Sequence, residues 1–419
     1  MHEMAAYSTM AMTLGLVVAR PHVGPTFRIT PALAAVIGAL FLTAIGVVKP
    51  GHAVDAITNL KAPFIAIASM MVMTEVASRV GLLGWWASRI EARARTTGAL
   101  FALVFGVGVL TSSLLNNDAA ILVLTPVVLT MVARRYPGRP AMLVPFAFAV
   151  FMSAGVAALP VANPMNMVVA DFSGIDFNTY ARQMIPVAIA GWAIAFVMLR
   201  LVFRAPLRAP IEPTSATAQR ATPIQQLTMV LLVAVLAAYP IVGSFGGPVW
   251  AVALGGAILS LVVINRHHRT TGDTTSIAEV VVRGVSWETL VFLLAVLVMS
   301  FGLRDVGLVD RLASLYGGGD LGVIGVSSAL GSAVLNNHPM SHLNMMALAS
   351  APHHDTAVFA ALVGGDLGPR LLPMGSLAGL LWIEQLRRHG LELRIGLFVR
   401  VGVLLAVPTI AASLAILAW

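Results

Sequence analysis

The chain has 419 residues, of which 58% are hydrophobic and 11% are charged, and its mean hydropathy is +0.89. Soluble domains carry about 25% charged residues, so the composition excludes a soluble protein and predicts a polytopic membrane protein. The net charge of +8 comes from short basic runs between apolar stretches. These runs fit orientation by the positive-inside rule better than a nucleic-acid-binding surface. Cysteine is absent, which excludes disulfides and thiolate metal ligands.

Ten membrane spans are predicted along the chain, five in each half. The first is expected to be a retained span because no basic segment precedes it. Within the third, Glu75 and Arg79 are one helical turn apart and are predicted to form an ion pair. A loop holding Lys49, Asp55 and Lys61 is predicted before it. The spans cover residues 4–18, 31–48, 63–86, 141–170, 184–203, 226–242, 249–265, 287–303, 356–386 and 398–419.

The apolar segment at 99–132 is too long for one crossing and carries Asn116, Asn117 and Asp118 at its centre. A bilayer core is roughly 30 Å thick, and a helix of about 20 residues spans it. Arginines lie on both flanks of the segment, and such clusters mark the cytoplasmic side. We therefore predict a re-entrant hairpin at 99–134 that enters and leaves from the cytoplasm, with its polar tip near the midplane.

The same pattern occurs a second time. Asn336 and Asn337 repeat the first asparagine pair at an offset of 220, since 336 − 116 = 220. The flanks of this second hairpin, predicted at 320–350, carry no arginine cluster; residues 352–355 on its far side read Pro-His-His-Asp. The second hairpin is therefore expected to open to the opposite side. Paired polar segments of opposite topology are typical of inverted-repeat transporters.

Two further segments are predicted to be broken helices, at 141–170 and 356–386. In the first, Pro160 and Pro164 supply no amide hydrogen and interrupt the helix. In the second, Pro373 occupies the corresponding place at an offset of 213, since 373 − 160 = 213. Non-helical backbone at membrane depth is tolerated only where it is packed in protein or lines a cavity. Both segments are therefore predicted to contribute to a site.

The predicted fold class is an all-α polytopic membrane protein made of two inverted-topology repeats. Residues 1–203 form the first repeat, 204–225 an arginine- and proline-rich cytoplasmic linker, and 226–419 the second repeat. Each repeat has about five transmembrane helices and one re-entrant hairpin. Five is an odd number, so the halves have opposite orientations, and both termini are predicted to lie outside the cell. Membrane lipid surrounds the chain.

The hairpin tips and broken helices are predicted to meet near the midplane. Their side chains offer amide and hydroxyl groups and little fixed charge, which suits a small polar solute. The alternative for any one asparagine is a hydrogen bond between helices. The residues concerned are Asn116, Asn117, Asn163, Asn166, Asn336, Asn337 and Ser376.

Asp118, Asp366 and His338 are ionisable residues at predicted membrane depth, in the hairpin tips and the second broken helix. Ionised groups are expensive there, so such residues are proton-carrier candidates. For Asp366 the alternative is a permanent ion pair with Arg370, one helical turn away. His338 and His342 have the spacing of a metal-binding pair, but no third ligand type accompanies them. No metal and no other cofactor is therefore predicted.

The runs LLNNDAAILVLTP, LNNHPM and especially GGDLGPRLLPMGSLAGLLW resemble the bacterial arsenite efflux permease (ArsB-type) family, within a larger ion-transporter superfamily. The resemblance covers nearly the whole chain. It implies proton-driven export of arsenite and antimonite across the cell inner membrane, sometimes assisted by a separate cytoplasmic ATPase. It also implies an elevator-like motion of the hairpins and broken helices. The family's functional positions fall on the two tips and on Asn163, Asp366, Gly375 and Ser376.

Arsenite is an undissociated trihydroxide at neutral pH, which fits asparagine and backbone partners. Two departures from the superfamily pattern matter. The Ser-Asn-Thr tips of its sodium-coupled relatives are absent, and His338 follows the second asparagine pair. The first alternative is a sodium- or proton-coupled carrier of small carboxylates, or a Na⁺/H⁺ antiporter, for which Arg370 is the one basic candidate. A remote alternative is an intramembrane enzyme, but no His-Glu-x-x-His run occurs.

Overall fold

A computed structural model describes residues 2–23, 27–211, 220–272, 274–350 and 355–419. Apart from a two-residue antiparallel β pair, His22–Val23 with Phe27–Arg28, the regular structure of these residues is helical. The predicted fold class is confirmed. The first half contains α1 (His2–Ala19), α2 (Pro31–Ala44), α3 (Pro50–Arg79), α4 (Leu82–Arg93), α5 (Thr97–Leu114), α6 (Asn117–Arg135), α7 (Leu143–Ser153), α8 (Pro164–Phe172) and α9 (Phe177–Val202).

The second half repeats the order of elements seen in the first. In both halves a helix pair with a break of one or two residues is followed by a helix pair with a longer interruption. It contains α10 (Pro223–Ser244), α11 (Val249–Thr271), α12 (Ile277–Gly284), α13 (Trp287–Asp305), α14 (Leu308–Tyr316), α15 (Leu321–Leu335), α16 (Asn337–Ala349), α17 (Asp355–Leu367), α18 (Leu377–Arg388) and α19 (Ile395–Leu417).

In the described part of the chain, seven helical segments are long and apolar enough to cross a membrane. They lie in α3, α5, α9, α10, α11, α13 and α19, and the apolar part of α3 is Leu60–Arg79. Helices α2 and α15, and the segment Pro140–Ser153 that contains α7, are apolar but shorter. The helices that flank the chain breaks are thus mostly too short to cross alone, as hairpins and broken helices require.

Local sequence sets several helix starts. The Thr96 hydroxyl accepts a bond from the Ala99 amide at the start of α5, and Thr222 and Gln225 form a capping box at the start of α10. Asp176 caps α9 in the same way. The Thr179 hydroxyl and nearby amides hydrogen-bond its carboxylate and hold the pKa of Asp176 below its usual value. These polar caps supply partners for amides that no helical carbonyl can reach.

The predicted third span, 63–86, is wrong at both ends. Helix α3 begins at Pro50 and continues through Pro63, so Asp55 and Lys61 lie in a helix and not in a loop. It ends at Arg79, because Gly81 adopts a left-handed conformation (φ 73°) that turns the chain into α4. The predicted ion pair inside the span is confirmed: Arg79 Nε lies 2.5 Å from Glu75 Oε1.

Both predicted hairpins correspond to two packed helices with a short break at the asparagine pair. Helices α5 and α6 are interrupted at 115–116, and α15 and α16 at Asn336. The predicted linker at 204–225 includes residues 212–219, and the loop after the second hairpin includes 351–354; both sets lie outside the described residues. The repeat boundaries and the sidedness of the hairpins stay predictions.

Candidate functional site

The two broken helices cross at Asp366, near the end of α17. Its carboxylate is buried and accepts three hydrogen bonds, two from the interruption between α7 and α8 and one from the first turn of α8. The Ala157 amide donates to Oδ2 at 2.9 Å, Asn163 Nδ2 to Oδ1 at 2.6 Å, and Asn166 Nδ2 to Oδ2 at 2.9 Å. Both carboxylate oxygens are therefore engaged by groups about 200 residues away in the chain.

The two prolines of the first broken helix shape this arrangement. After α7 ends, residues 154–159 are irregular and Pro160–Ala162 form a single 3₁₀ turn. Asn163 then caps α8 with its side-chain oxygen, which accepts from the Met165 amide at 3.1 Å. The side-chain NH₂ group of the same residue is left to bind Asp366. Asn163 thus both caps the start of α8 and hydrogen-bonds to Asp366 in the second half of the chain.

Tyr180 and Ala157 also belong to this network, and the sequence analysis did not identify either. Asn166 Nδ2 lies 2.7 Å from the Tyr180 hydroxyl, which donates to the Ala157 carbonyl at 3.2 Å. Tyr180 is fully buried in α9. A tyrosine among apolar residues at the start of a span was the available signal, because a buried hydroxyl requires a partner. The backbone amide of Ala157 carries no such signal.

Arg370 lies beyond Asp366 in the 3₁₀ turn Gly368–Arg370 and is 5% exposed. Its guanidinium carbon lies 4.4 Å from the centre of the Phe151 ring, a cation–π distance. Among the described residues no ion pair within 4.0 Å joins Arg370 to Asp366, so the alternative of a permanent bridge is not observed. The three bonds to Asp366 explain why it needs no such partner.

The first hairpin tip contacts the first broken helix and borders a cavity. Asn117 Nδ2 donates to the Gly155 carbonyl at 3.4 Å. Asn116 is buried, Asp118 is half-buried, and both line a cavity of about 150 Å³. We name this space the first-tip cavity. Its other polar lining side chains come from α3 and from the start of α13 and the residue before it: Thr74, Glu75, Ser78, Ser286 and Thr289.

The second hairpin tip contacts the second broken helix. Asn336 has φ 77° and ψ 147°, a strained backbone conformation that is populated almost entirely by glycine. Its Nδ2 donates to the Met374 carbonyl at 3.2 Å, while its Oδ1 accepts from the His338 amide at 3.3 Å. His338 Nδ1 lies 2.7 Å from Asn337 Oδ1, which assigns the proton to Nδ1. The polar side chains of the second tip are therefore hydrogen-bonded to one another and to the second broken helix.

Three further imidazole nitrogens near this tip have no hydrogen-bond partner in the described part of the chain. They are His338 Nε2 and both ring nitrogens of His342, all buried. The His338 ring packs edge-on against Phe292, with 5.8 Å between ring centres. Within the described ranges no group of three or more His, Asp or Glu side chains is placed to hold a metal ion.

Gly375 and Ser376 form the end of the second interruption. A Cβ on Gly375 would lie 2.7 Å from Pro369 Cα, so only glycine fits between the turn and α15. The Ser376 hydroxyl caps α18 by accepting from the Gly379 amide at 3.0 Å. Both residues are therefore explained by packing and capping at this break.

Four half-helices begin at these breaks: α6, α8, α16 and α18. A helix N-terminus carries a partial positive charge of roughly half an elementary charge. The breaks therefore supply amide donors suited to electron-rich oxygen atoms. The structure brings Asn163, Asn166 and Asp366 into direct contact. It joins each tip to the broken helix of its own half, and no hydrogen bond links Asn117 with Asn337 in the described part of the chain.

Two hairpin tips joined to two crossed broken helices, among described residues that are almost entirely helical and include seven long apolar helices, define a polytopic membrane transporter. The chain belongs to the ArsB family, described as arsenical pump membrane protein, whose model matches residues 6–419. Membership confirms the resemblance drawn from the sequence runs. It also establishes arsenical transport across a membrane as the general function of the chain.

Individual relatives agree with the family match. The chain is 31% identical over 412 residues to the arsenical pump membrane protein of Escherichia coli K12, covering 92% of each chain. It is 30% identical over 438 residues to that of Yersinia enterocolitica, covering 99% of this chain and 98% of the relative. The crystal structure of the YdaH transporter of Alcanivorax borkumensis matches with TM-score 0.60 and 18% identity, over 100% and 98% of the chains. This last likeness concerns the fold alone.

Proposed function

We propose that the chain exports arsenite and antimonite from the cytoplasm by proton antiport. The observation that carries this proposal is the first-tip cavity, which Asn116 and Asp118 line together with Thr74 and Ser78. Its volume of about 150 Å³ suits a small trihydroxide. Amide and hydroxyl groups can bind the three substrate hydroxyls, and no thiol is present to trap trivalent arsenic.

Asp118 is the group proposed to exchange the proton, and Asp366 and His338 are proposed as the other ionisable members of the route. Asp118 borders the cavity, and in the described part of the chain its carboxyl has no hydrogen-bond or ion-pair partner. A carboxyl without partners at membrane depth is costly to ionise. Proton uptake at Asp118 and substrate release from the same cavity are therefore expected to be linked.

Movement is proposed to follow the elevator scheme, in which the hairpins and broken helices travel together. Their mutual hydrogen bonds support this, because Asn117 holds Gly155, Asn336 holds Met374 and Asp366 holds Asn163. Elements tied in this way can shift as one body. We also propose that the protein lies in the cell inner membrane with both termini outside. Residues 1–203 and 226–419 are proposed to form its two repeats. The proposal also includes partnership with a separate cytoplasmic ATPase.

Transport into inside-out vesicles tests the substrate and the coupling ion together. Purified chain is reconstituted, and uptake of arsenite, antimonite, succinate and sodium is measured with and without an imposed pH gradient. We expect arsenite and antimonite uptake that depends on the gradient. Succinate or sodium uptake with no arsenite signal would instead support the carboxylate or Na⁺/H⁺ carrier. Asp310→Asn, an exposed change in α14, is the matched control.

Sidedness is tested by labelling single cysteines in the chain, which has none of its own. Positions Arg93 and Arg134 bracket the first hairpin, and Arg134 is exposed whereas Arg135 is buried. Both positions are expected to react only from the cytoplasm, and a cysteine at Asp176 only from outside. Labelling of Arg93 and Arg134 from opposite faces would contradict the re-entrant hairpin.

A further inference from the structure

Arg370 is a buried cation whose environment the proposed function has not explained. It is 5% exposed and stacks on Phe151, but in the described part of the chain it makes no hydrogen bond and its Nε is enclosed without an acceptor. A buried charge without partners costs several kcal/mol unless another charge compensates it. The cation–π contact alone, worth about 2 kcal/mol when desolvated, is too small for that purpose.

Two carboxyls lie within electrostatic range of Arg370, and they are Asp366 and Asp118. Asp366 is already saturated by the three N–H donors of the opposite broken helix. Asp118 accepts no such bond from the described residues and borders the first-tip cavity. Asp118 therefore lacks the hydrogen-bond donors that already stabilise the Asp366 carboxylate, and a guanidinium could take their place.

The first tip and Arg370 meet at one stretch of backbone. Asn117, next to Asp118, donates to the Gly155 carbonyl, and Gly155 and Arg370 together line a void of about 20 Å³. That volume holds about one water molecule. The Trp192 indole nitrogen, another buried donor without an acceptor, belongs to a residue on the same void. Arg370 therefore borders free space that it shares with Gly155, the residue whose carbonyl the first tip binds.

We propose that Arg370 is the internal counter-ion of the transport site and pairs with Asp118 whenever that carboxylate has released its proton. With both carboxyls ionised the three groups carry a net charge of −1, and with Asp118 protonated they carry 0. The guanidinium thus limits the centre to one exchangeable proton. The role in transport rests on the proposed proton antiport, whereas the charge pairing does not depend on any substrate.

Other charged groups near this centre are already paired or distant from Arg370. Glu75 borders the first-tip cavity but is bonded to Arg79 on α3. On α18, which packs against α6, Glu384 pairs with Arg388. His338 on α16 is bonded to Asn337. Asp366 and Asp118 are the two groups whose charge reaches Arg370.

A stability cycle tests the pairing without arsenite. The Tm of detergent-purified chain is measured at pH 5.5 and pH 8 for Arg370→Gln, Arg370→Lys, Asp118→Asn, Asp366→Asn and the double variants Arg370→Gln/Asp118→Asn and Arg370→Gln/Asp366→Asn. Arg370→Gln is expected to lower the Tm by roughly 5 °C or more at pH 8. The loss should be smaller at pH 5.5, where a proton replaces the missing cation. Asp118→Asn should remove most of the loss at pH 8, and Arg370→Lys should keep most of the native Tm.

Each other outcome contradicts the proposal. Additive losses in the Asp118 double variant, or equal and pH-independent losses for Gln and Lys, mean that Arg370 acts by packing on Phe151. If Asp366→Asn restores the Tm of the Arg370→Gln variant and Asp118→Asn does not, the partner of Arg370 is Asp366 and the proposed pair is wrong. If Arg370→Gln does not fold, recovery of folded protein by Asp118→Asn supports the pairing and no recovery contradicts it. Loss of gradient-driven transport in the native chain would defeat the antiport proposal and leave this cycle unaffected.

Discussion

The two hairpin tips have the same asparagine pair and differ in the residue that follows, Asp118 in the first and His338 in the second. The first tip borders a cavity, and its Asp118 carboxyl is half-buried and has no hydrogen-bond or ion-pair partner in the described part of the chain. The second binds its imidazole to Asn337 and buries it. An internal repeat therefore preserves the backbone break and assigns different chemistry to each copy. We interpret the first tip as the exchanging site and the second as the fixed one.

The largest expected effect separates the tips directly. Asp118→Asn is expected to abolish gradient-driven arsenite transport, because the remaining carboxyl of the cavity, Glu75, is held in an ion pair with Arg79. His338→Gln, the matched change, is expected to slow transport while its dependence on pH remains. Vesicle uptake at several pH values measures both. Active, pH-dependent accumulation by the Asp118 variant would show that another group carries the proton.

The second tip is expected to be sensitive to backbone strain. Asn336→Ala loses the helix cap and places an alanine at φ 77°, so we expect a loss of about 1–3 kcal/mol of stability. Asn336→Gly keeps the favourable backbone and should lose only a few tenths of a kcal/mol from the missing cap. Chemical denaturation of the two variants compares them. Equal losses would mean that the conformation of Asn336 contributes nothing.

Substrate affinity tests whether the tips share one site. Asn117→Ala and Asn337→Ala each remove one neutral amide, worth about 0.5–1.5 kcal/mol, or roughly a two- to twelve-fold rise in Kd. The double variant should deviate from additivity, because groups that bind one ligand are coupled. Arsenite titration and Tm are measured on the same samples. Unchanged arsenite affinity with a reduced Tm in both single variants would show that the asparagines only join helices and do not bind the substrate.

The smallest expected effect lies in the crossing that both tips adjoin. Tyr180→Phe removes the hydroxyl that bonds Asn166 and the Ala157 carbonyl. We expect a loss of about 1 kcal/mol, because Asn166 keeps its bond to Asp366. Tyr239→Phe, in α10, is the control, since its buried hydroxyl has no partner in the described part of the chain. A larger loss for Tyr239 than for Tyr180 would contradict the network.

Local patterns predicted the breaks accurately. The asparagine pairs mark the ends of α5 and α15, and Pro160 and Pro373 mark the two interruptions, because these residues alter the backbone at their own positions. The start of α3 was missed. The sequence predicts a helix start at Pro63, whereas α3 begins at Pro50 and continues through Pro63. Proline disfavours a helix interior without excluding it when tertiary packing compensates.

The contacts between halves were beyond a reading of the sequence. Asp366 was identified as functional, but its partners Ala157, Asn163 and Asn166 lie about 200 residues earlier. No periodicity relates positions so far apart, and a backbone amide has no residue identity. The alternative of an Asp366–Arg370 bridge is not observed, because helical spacing favours such a pair only where the helix continues. Here α17 ends at Leu367, between the two residues.

The bonds from the first broken helix to Asp366 also bear on how the chain is made. The donors at Ala157, Asn163 and Asn166 emerge from the ribosome long before their acceptor does. Until the second half is inserted, these polar groups lie in the bilayer without their native partner, which is costly in a medium without water. The first half is therefore expected to be an unfinished product that membrane quality-control proteases can recognise. Synthesis of Asp366 would then mark the point at which the two halves become one folded unit.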